Sequence, residues 1–420
     1  MSEAYARAGW VVTGMRPALA MLLCVVAVPV WSLDWREPWR IPHDAAAAVD
    51  ASDEFAWRLF VAVIWPAADP SGSADPHAAL GADRRCVWER WENSADVYRD
   101  DGADPGRWAA VVEPGIATAH RFETLSAATL SNARHIVAGR MEPLRDELDR
   151  SRRLVEIRMN RTAFDYLRKT GLYNLDGQIA AVAAGVPVEF PPGSIEVKAS
   201  WRPIAASERQ RYHTLRVRLA NGETRLYGLN ALNIAAKESP QWFWASFEHI
   251  DNASRAGGEG WRLPSRDRYA CSGEAADCNR APAGIGLDRE VWKYYRLRGT
   301  QTRYLEAAGM PERLGNSELE AGLQETASCM TCHSRAALAL EDGGVRRLEV
   351  LDPGAADGPP ARDAGAVPQR RGYIGLPDPA WFQAAGVDGR ALNFQSLDFV
   401  WSLIQAKPLH HPDPGAGAPH

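Results

Sequence analysis

The sequence predicts an α+β protein, mainly helical, with a central antiparallel sheet and a helical module near the carboxyl end. Three observations predict it. Apolar residues recur at helical spacing in residues 51–66 and through 122–170. Strict alternation takes over within 186–236. From about residue 312, helical patterns flank a C-x-x-C-H. At 420 residues the chain has room for two to three ordinary domains. The expected division is a leader or anchor at 1–32, a Trp-rich α+β domain at 43–311, the C-x-x-C-H region at 312–408 and a flexible tail at 409–420.

The first element is the apolar stretch from Met15 to Trp31. It fits the apolar region of a secretory signal better than a membrane span, which needs about 20 residues. Met15 is a plausible start of translation. No A-x-A follows the stretch, so a cleaved signal and an uncleaved anchor through residues 17–31 both stand. Cys24 invites a lipoprotein reading, but most of the apolar stretch follows it, where a lipidated Cys would have it in front. The expected location is the periplasm, either free or tethered to the inner membrane.

ASDEFAWRLFVAVIWP (51–66) reads as a short amphipathic helix stopped by Pro66. With CVWERWENSADVY (86–98) it brings Trp57, Trp65, Trp88 and Trp91 into one aromatic cluster, read first as core. Residues 122–170 predict helix, with Leu144, Leu148, Leu154, Ile157 and Phe164 on the apolar side. IEVKA (195–199) and LRVRL (215–219) alternate, and Asn221-Gly222 supplies a hairpin turn before 225–229. QWFWASFEH (241–249) is too aromatic for a surface helix. Residues 252–290 predict a large Gly-rich loop, in which an exported chain would readily bridge Cys271 to Cys278 across SGEAAD; bridged and free states both stand. Helices are expected at 316–328 and 395–406, on either side of the C-x-x-C-H and of a Pro/Gly/Ala-rich stretch at 352–367. Two helices around such a loop are the minimum for a cytochrome-c-like haem module.

Charge removes some functions. Lys and Arg number 48 against 53 Asp and Glu, a net −5, which argues against phosphate-driven nucleic-acid binding. One apolar stretch also rules out a polytopic membrane protein.

Cys329-Met330-Thr331-Cys332-His333 carries the chemistry. Two thiols three residues apart add across the two vinyl groups of a haem, each S–H delivering its sulfur to one vinyl carbon and its hydrogen to the other. The adjacent His then reaches the iron as the proximal ligand. A dithiol redox motif would follow a strand in a βαβ unit, whereas the pattern leading in here is helical. A zinc knuckle would want a second ligand pair, but no Cys follows Cys332 and the next His is His410. One covalent haem c is therefore expected, and an exported chain meets the compartment in which it is attached.

WRLFVAVIWP (57–66), WERW (88–91), IEVKASW (195–201), SPQWFWASFEHIDN (239–252), NSELEAGLQETASCMTCH (316–333) and DFVWSLIQA (398–406) together resemble bacterial exported cytochrome c family proteins, large and monohaem with the C-x-x-C-H near the carboxyl end. The resemblance spans residues 53–407. It implies haem c on Cys329, Cys332 and His333, and leaves the reaction open.

A small electron carrier presents a Met thioether some tens of residues after its C-x-x-C-H, but no Met follows Met330. Met310 and His249 are the distal-ligand candidates singled out. His249, beside Glu248 and near Asp251, is also a candidate acid–base residue; a His hydrogen-bonded within the core is the plainer reading. Glu196, Lys198, Glu248 and Asp251 are polar residues embedded in strand or aromatic contexts. The function expected is single-electron transfer with a redox partner protein or a small donor or acceptor. The alternatives are a peroxidase- or oxygenase-like haem enzyme with an open distal site, and a haem-based sensor.

Overall fold

The structure is a computed structural model and describes residues 35–81, 84–109, 116–124, 153–254, 282, 284–288, 290–320, 328–341, 344–348, 374–386 and 388–410. All fall within one compact unit, Leu33–His420. The apolar leader, Leu144 and Leu148, the Cys271–Cys278 loop and the 352–367 stretch lie outside the described residues. Among those described, no helix is long and apolar enough to cross a membrane.

The expectation of a mainly helical protein with a helical haem module is overturned. The architecture is dominated by a nine-stranded mixed sheet, with a second sheet of three strands. Only three described α-helices reach seven residues: α2 (Ser52–Ile64), α4 (Arg161–Thr170) and α5 (Leu175–Ala183). The shorter ones are α1 (Ala45–Asp50), α3 (Ser94–Val97) and α6 (Cys329–His333).

Five strands build the centre of the large sheet: β4 (Leu154–Met159), β5 (Ile195–Pro203), β7 (Thr224–Ala236), β8 (Phe243–His249) and β9 (Tyr295–Gln301). They pair antiparallel in that order. β7 is long enough to change partner along one edge. Its first half pairs with β6 (Thr214–Arg218) and its second half with β8. The turn into β7 is the expected one, with Gly222 at φ 84°, a value glycine adopts without a Cβ clash. The strands β1 (Glu92–Asn93), β2 (Ala117–Thr118) and β3 (Glu123–Thr124) sit at the margins.

Within 122–170 the helical reading fails at Leu154–Met159, whose alternating Leu, Val and Ile form β4. Among the described residues of this stretch, α-helix begins after Asn160, whose side chain accepts the Ala163 N–H.

The two faces of the large sheet differ in chemistry. One is apolar: Val197, Ile234 and Ala245 pair across β5, β7 and β8 and join the main core. α2 lies on this face, with Phe60 stacked on Phe247 at 4.1 Å and Phe55 edge-on to Phe243. α2 is not amphipathic as expected: every residue except Ser52 and Arg58 is buried, Asp53 and Glu54 included. The aromatic 243–249 segment is a strand enclosed on both faces.

The opposite face carries polar groups. One row runs Met159, Glu196, Ala235, Trp244 and Gln301; the next runs Ile157, Lys198, Asn233, Ser246 and Gly299. Residues 314–320 and α6 pack over it. The expected 316–328 helix is absent from 316–320, and 321–327 lie outside the described residues. The Asn316 side chain accepts the Glu318 and Leu319 N–H groups and its backbone carbonyl accepts the Glu320 N–H, the bonds of a single capped turn. The carboxylates of this turn point inward. Glu318 takes Arg153 at 2.6 Å and Asn230 at 2.8 Å, and Glu320 takes Asn233 at 3.1 Å.

The second sheet comprises β10 (Ala337–Glu341), β11 (Gly344–Arg347) and β12 (Gln395–Ser396). β12 stands where the last helix was expected. The chain then passes through Asp398 and Phe399 at φ 52° and 68° into a 3-10 turn, Trp401–Gln405.

Candidate haem-attachment site

Ser328 starts the site. Its hydroxyl accepts the Thr331 N–H and so caps α6, which contains the whole C-x-x-C-H. Cys329, Cys332 and His333 are i, i+3 and i+4, one face of a helical turn. The structure agrees: these three keep partial exposure, while Met330 and Thr331 between them are buried. The buried side is fastened by polar contacts. Gln301 on β9 accepts the Met330 N–H at 2.9 Å, and Thr331 donates to the Gly375 carbonyl at 2.6 Å.

His333 lies between two distant parts of the chain. Its ring packs on Trp244 of β8 at 4.4 Å, and Nδ1 lies 2.7 Å from the Phe399 carbonyl oxygen. A carbonyl only accepts, so Nδ1 carries the hydrogen. Burial pushes the imidazole pKa down to about 4, so the ring is neutral at pH 7 and Nε2 holds a bare lone pair. That tautomer is what an iron ligand requires.

Burial also raises the thiols, Cys332 to about 11 and Cys329 well above its ordinary value. Both are therefore S–H at neutral pH, unlike the depressed thiolates of disulfide oxidoreductases. Neither is in a disulfide.

The strap that supplies the Phe399 carbonyl is itself anchored. Asp398 pairs with Lys237 at 2.6 and 2.9 Å and accepts the Phe190 N–H at 2.7 Å. Trp401 donates its indole N–H to the Cys332 carbonyl at 3.2 Å. Ser402 donates to Glu196 on the sheet floor.

No family model, no curated protein and no solved structure matches this chain.

The residues present suit a covalent haem in their chemistry: two S–H groups and a neutral imidazole on one partly exposed face of α6, with Cys329 Sγ 3.6 Å from the Leu314 carbonyl. The distal candidates are placed less favourably. Met310 is 40% exposed, in a tight turn closed by the Glu306 N–H donating to its carbonyl. His249 sits at the far end of β8, five residues or on the order of 17 Å beyond Trp244. It pairs with Tyr295 on the apolar side of the sheet. Its Nε2 lies 2.9 Å from the Arg211 carbonyl, its Nδ1 accepts the Asp251 N–H at 3.2 Å, and its ring stacks on Tyr212 at 3.8 Å. With both nitrogens engaged away from α6, His249 is a core histidine here.

Glu196 and Lys198, noted in the sequence for their strand context, do belong to the site's surroundings. The Lys198 charge acts on Cys329, Cys332 and His333, and Glu320 acts on both thiols. Burial raises Glu196 to about 7. Glu248 lies in the same polar layer, where it takes the Ser317 N–H and hydroxyl. Asp251 instead pairs with Arg211 beyond the end of β8. Sequence reading missed Trp244, Gln301, Asp398 and Phe399. Trp244 carried a signal in the aromatic 241–249 run, and Asp398 and Phe399 lay in the DFVWSLIQA segment without any role attached.

Proposed function

We propose that this is an exported c-type cytochrome that carries one covalent haem on Cys329, Cys332 and His333 and passes single electrons. The observation that carries the reading is the Phe399 carbonyl at His333 Nδ1, which leaves Nε2 unprotonated on the same partly exposed helix face as two protonated thiols. When bound, haem c supplies a one-electron iron couple. Within the chain, α6 presents the three attachment atoms and Trp244 fixes the plane of the His333 ring. Phe399 holds the Nδ1 proton, and the polar sheet floor provides charge beside the site. The apolar stretch at 15–31 supports export to the periplasm, where a redox protein or small molecule would exchange the electron.

A second reading is favoured by one observation: Lys198 on the sheet floor and Glu320 packed over it both act on the thiols, acid–base groups that a simple shuttle does not need. It makes the protein a haem enzyme or sensor with an open distal side.

The test is expression with haem c maturation, haem staining after denaturing electrophoresis, and ferrous spectra with and without carbon monoxide. Stain that survives denaturation and disappears in C329A/C332A supports attachment. A low-spin ferrous spectrum indifferent to carbon monoxide favours the electron carrier, and immediate carbon monoxide binding favours the second reading. No covalent haem after export and maturation overturns both.

A further inference from the structure

On the face of the large sheet opposite α6, Cys86, Glu89 and His213 converge. Cys86 Sγ, a Glu89 carboxylate oxygen and His213 Nε2 all lie within 4.8 Å of one another. Nε2 is 3.1 Å from Glu89 Oε2 and 4.0 Å from the sulfur.

Local structure fixes each donor. Cys86 bridges to Pro66, and the turn after it, Trp88–Arg90, returns Glu89 so that its carboxylate accepts the Cys86 N–H at 2.7 Å. His213 precedes β6, stacks on Trp292 at 4.9 Å and donates its backbone N–H to the Tyr295 hydroxyl at 3.1 Å. Arg85 holds the other Glu89 oxygen at 2.7 Å. Such support orients a ligand set before anything binds.

The geometry is not that of a nucleophile relay. A Cys–His–acid triad places the thiol on one ring nitrogen and the carboxylate on the other. Here both address Nε2, and one imidazole N–H cannot serve two partners. A cation at the common point takes a lone pair from each.

We infer that Cys86, Glu89 and His213 form a three-ligand site for a single zinc ion, independent of the C-x-x-C-H. A sulfur, a nitrogen and an oxygen donor suit this borderline-soft ion in tetrahedral geometry, with the fourth position left to water. Binding exchanges the Cys86 S–H bond for an S–Zn bond, with the proton released to solvent. The thiolate and carboxylate then balance the two positive charges, and Arg85 stays on the outer oxygen. Entry is from the side of Arg85 and His213, whose side chains are 23% and 15% exposed, while Cys86 and Glu89 are buried.

The full chain, with haem attached or in a C329A/C332A background, is titrated with Zn²⁺ and measured by metal analysis and zinc X-ray absorption. The expected result is one zinc per chain with a single sulfur ligand at about 2.3 Å. C86S, E89Q and H213N should each lose at least about 100-fold in affinity, since loss even of a supporting group costs 10- to 100-fold. Absence of zinc uptake, a shell with no sulfur or with several, or C86S and H213N binding like wild type would each overturn the site. Should C86S fail to fold by circular dichroism, the wild-type sulfur count and the H213N titration still decide.

Discussion

Asp398 and Phe399 hold left-handed backbone angles in succession, a conformation that costs of order 1–3 kcal/mol at each non-glycine residue. The Lys237–Asp398 pair, both side chains 7% exposed, keeps the chain there and so aims the Phe399 carbonyl at His333. Asp398→Asn tolerates the backbone angle but takes the carboxylate partner from the buried Lys237, leaving it the Pro240 carbonyl. Denaturant unfolding should record a loss of about 3–5 kcal/mol. At His249 the sign runs through pH. Burial lowers its folded pKa to about 4, below the ordinary 6.5, so the unfolded chain binds the extra proton. Its contribution is complete above about 6.5 and is lost as pH falls from there to 4. Melting temperature should drop across that window in wild type and less steeply in His249→Gln; equal slopes would remove the assignment. The C-x-x-C-H and the strand placement of Glu196 and Lys198 were legible in the sequence. The Phe399 carbonyl was not, because a backbone oxygen has no residue signature and lies 66 positions from its partner.

At the scale of elements, α2 and β8 act as one packed unit. Phe60 touches Phe247, Trp57, Trp292 and Tyr295 and is fully buried. Phe60→Ala should cost about 3–5 kcal/mol through the cavity it leaves, read as a shifted denaturation midpoint at unchanged slope. Elements whose stabilising contacts are local were readable. The alternation at 195–199 and 215–219 became β5 and β6, and Pro66 marked the end of α2. Elements fastened from afar were misread. In NSELE the described residues form a capped turn that Glu318 and Glu320 fasten to Arg153, Asn230 and Asn233. The 395–406 run looks helical until β10 claims Gln395 and Ser396. Asn316→Ala removes the side chain that caps the 317–320 turn and ties 316 to Ser246 at 2.9 Å. Amide exchange at 316–320 should accelerate at least severalfold, since the buried partners lose a bond worth about 1 kcal/mol or more.

The whole molecule is organised by one sheet with two chemistries, aromatic packing on one face and the polar floor under α6 on the other. The sequence carried this as alternation in IEVKA, although not which face would meet the C-x-x-C-H. The arrangement also has a direction in time. Trp244 and the floor are synthesised before α6, whereas the Phe399 carbonyl follows His333 by 66 residues. The strap is thus the last of these pieces in the chain, and closing it over His333 fixes the imidazole that α6 presents, so this segment works as a latch. A chain stopped after Ser396 should still lay down the sheet but leave His333 free to turn. Nuclear magnetic resonance of the ring nitrogens should then find the two tautomers mixed, where the full chain holds one.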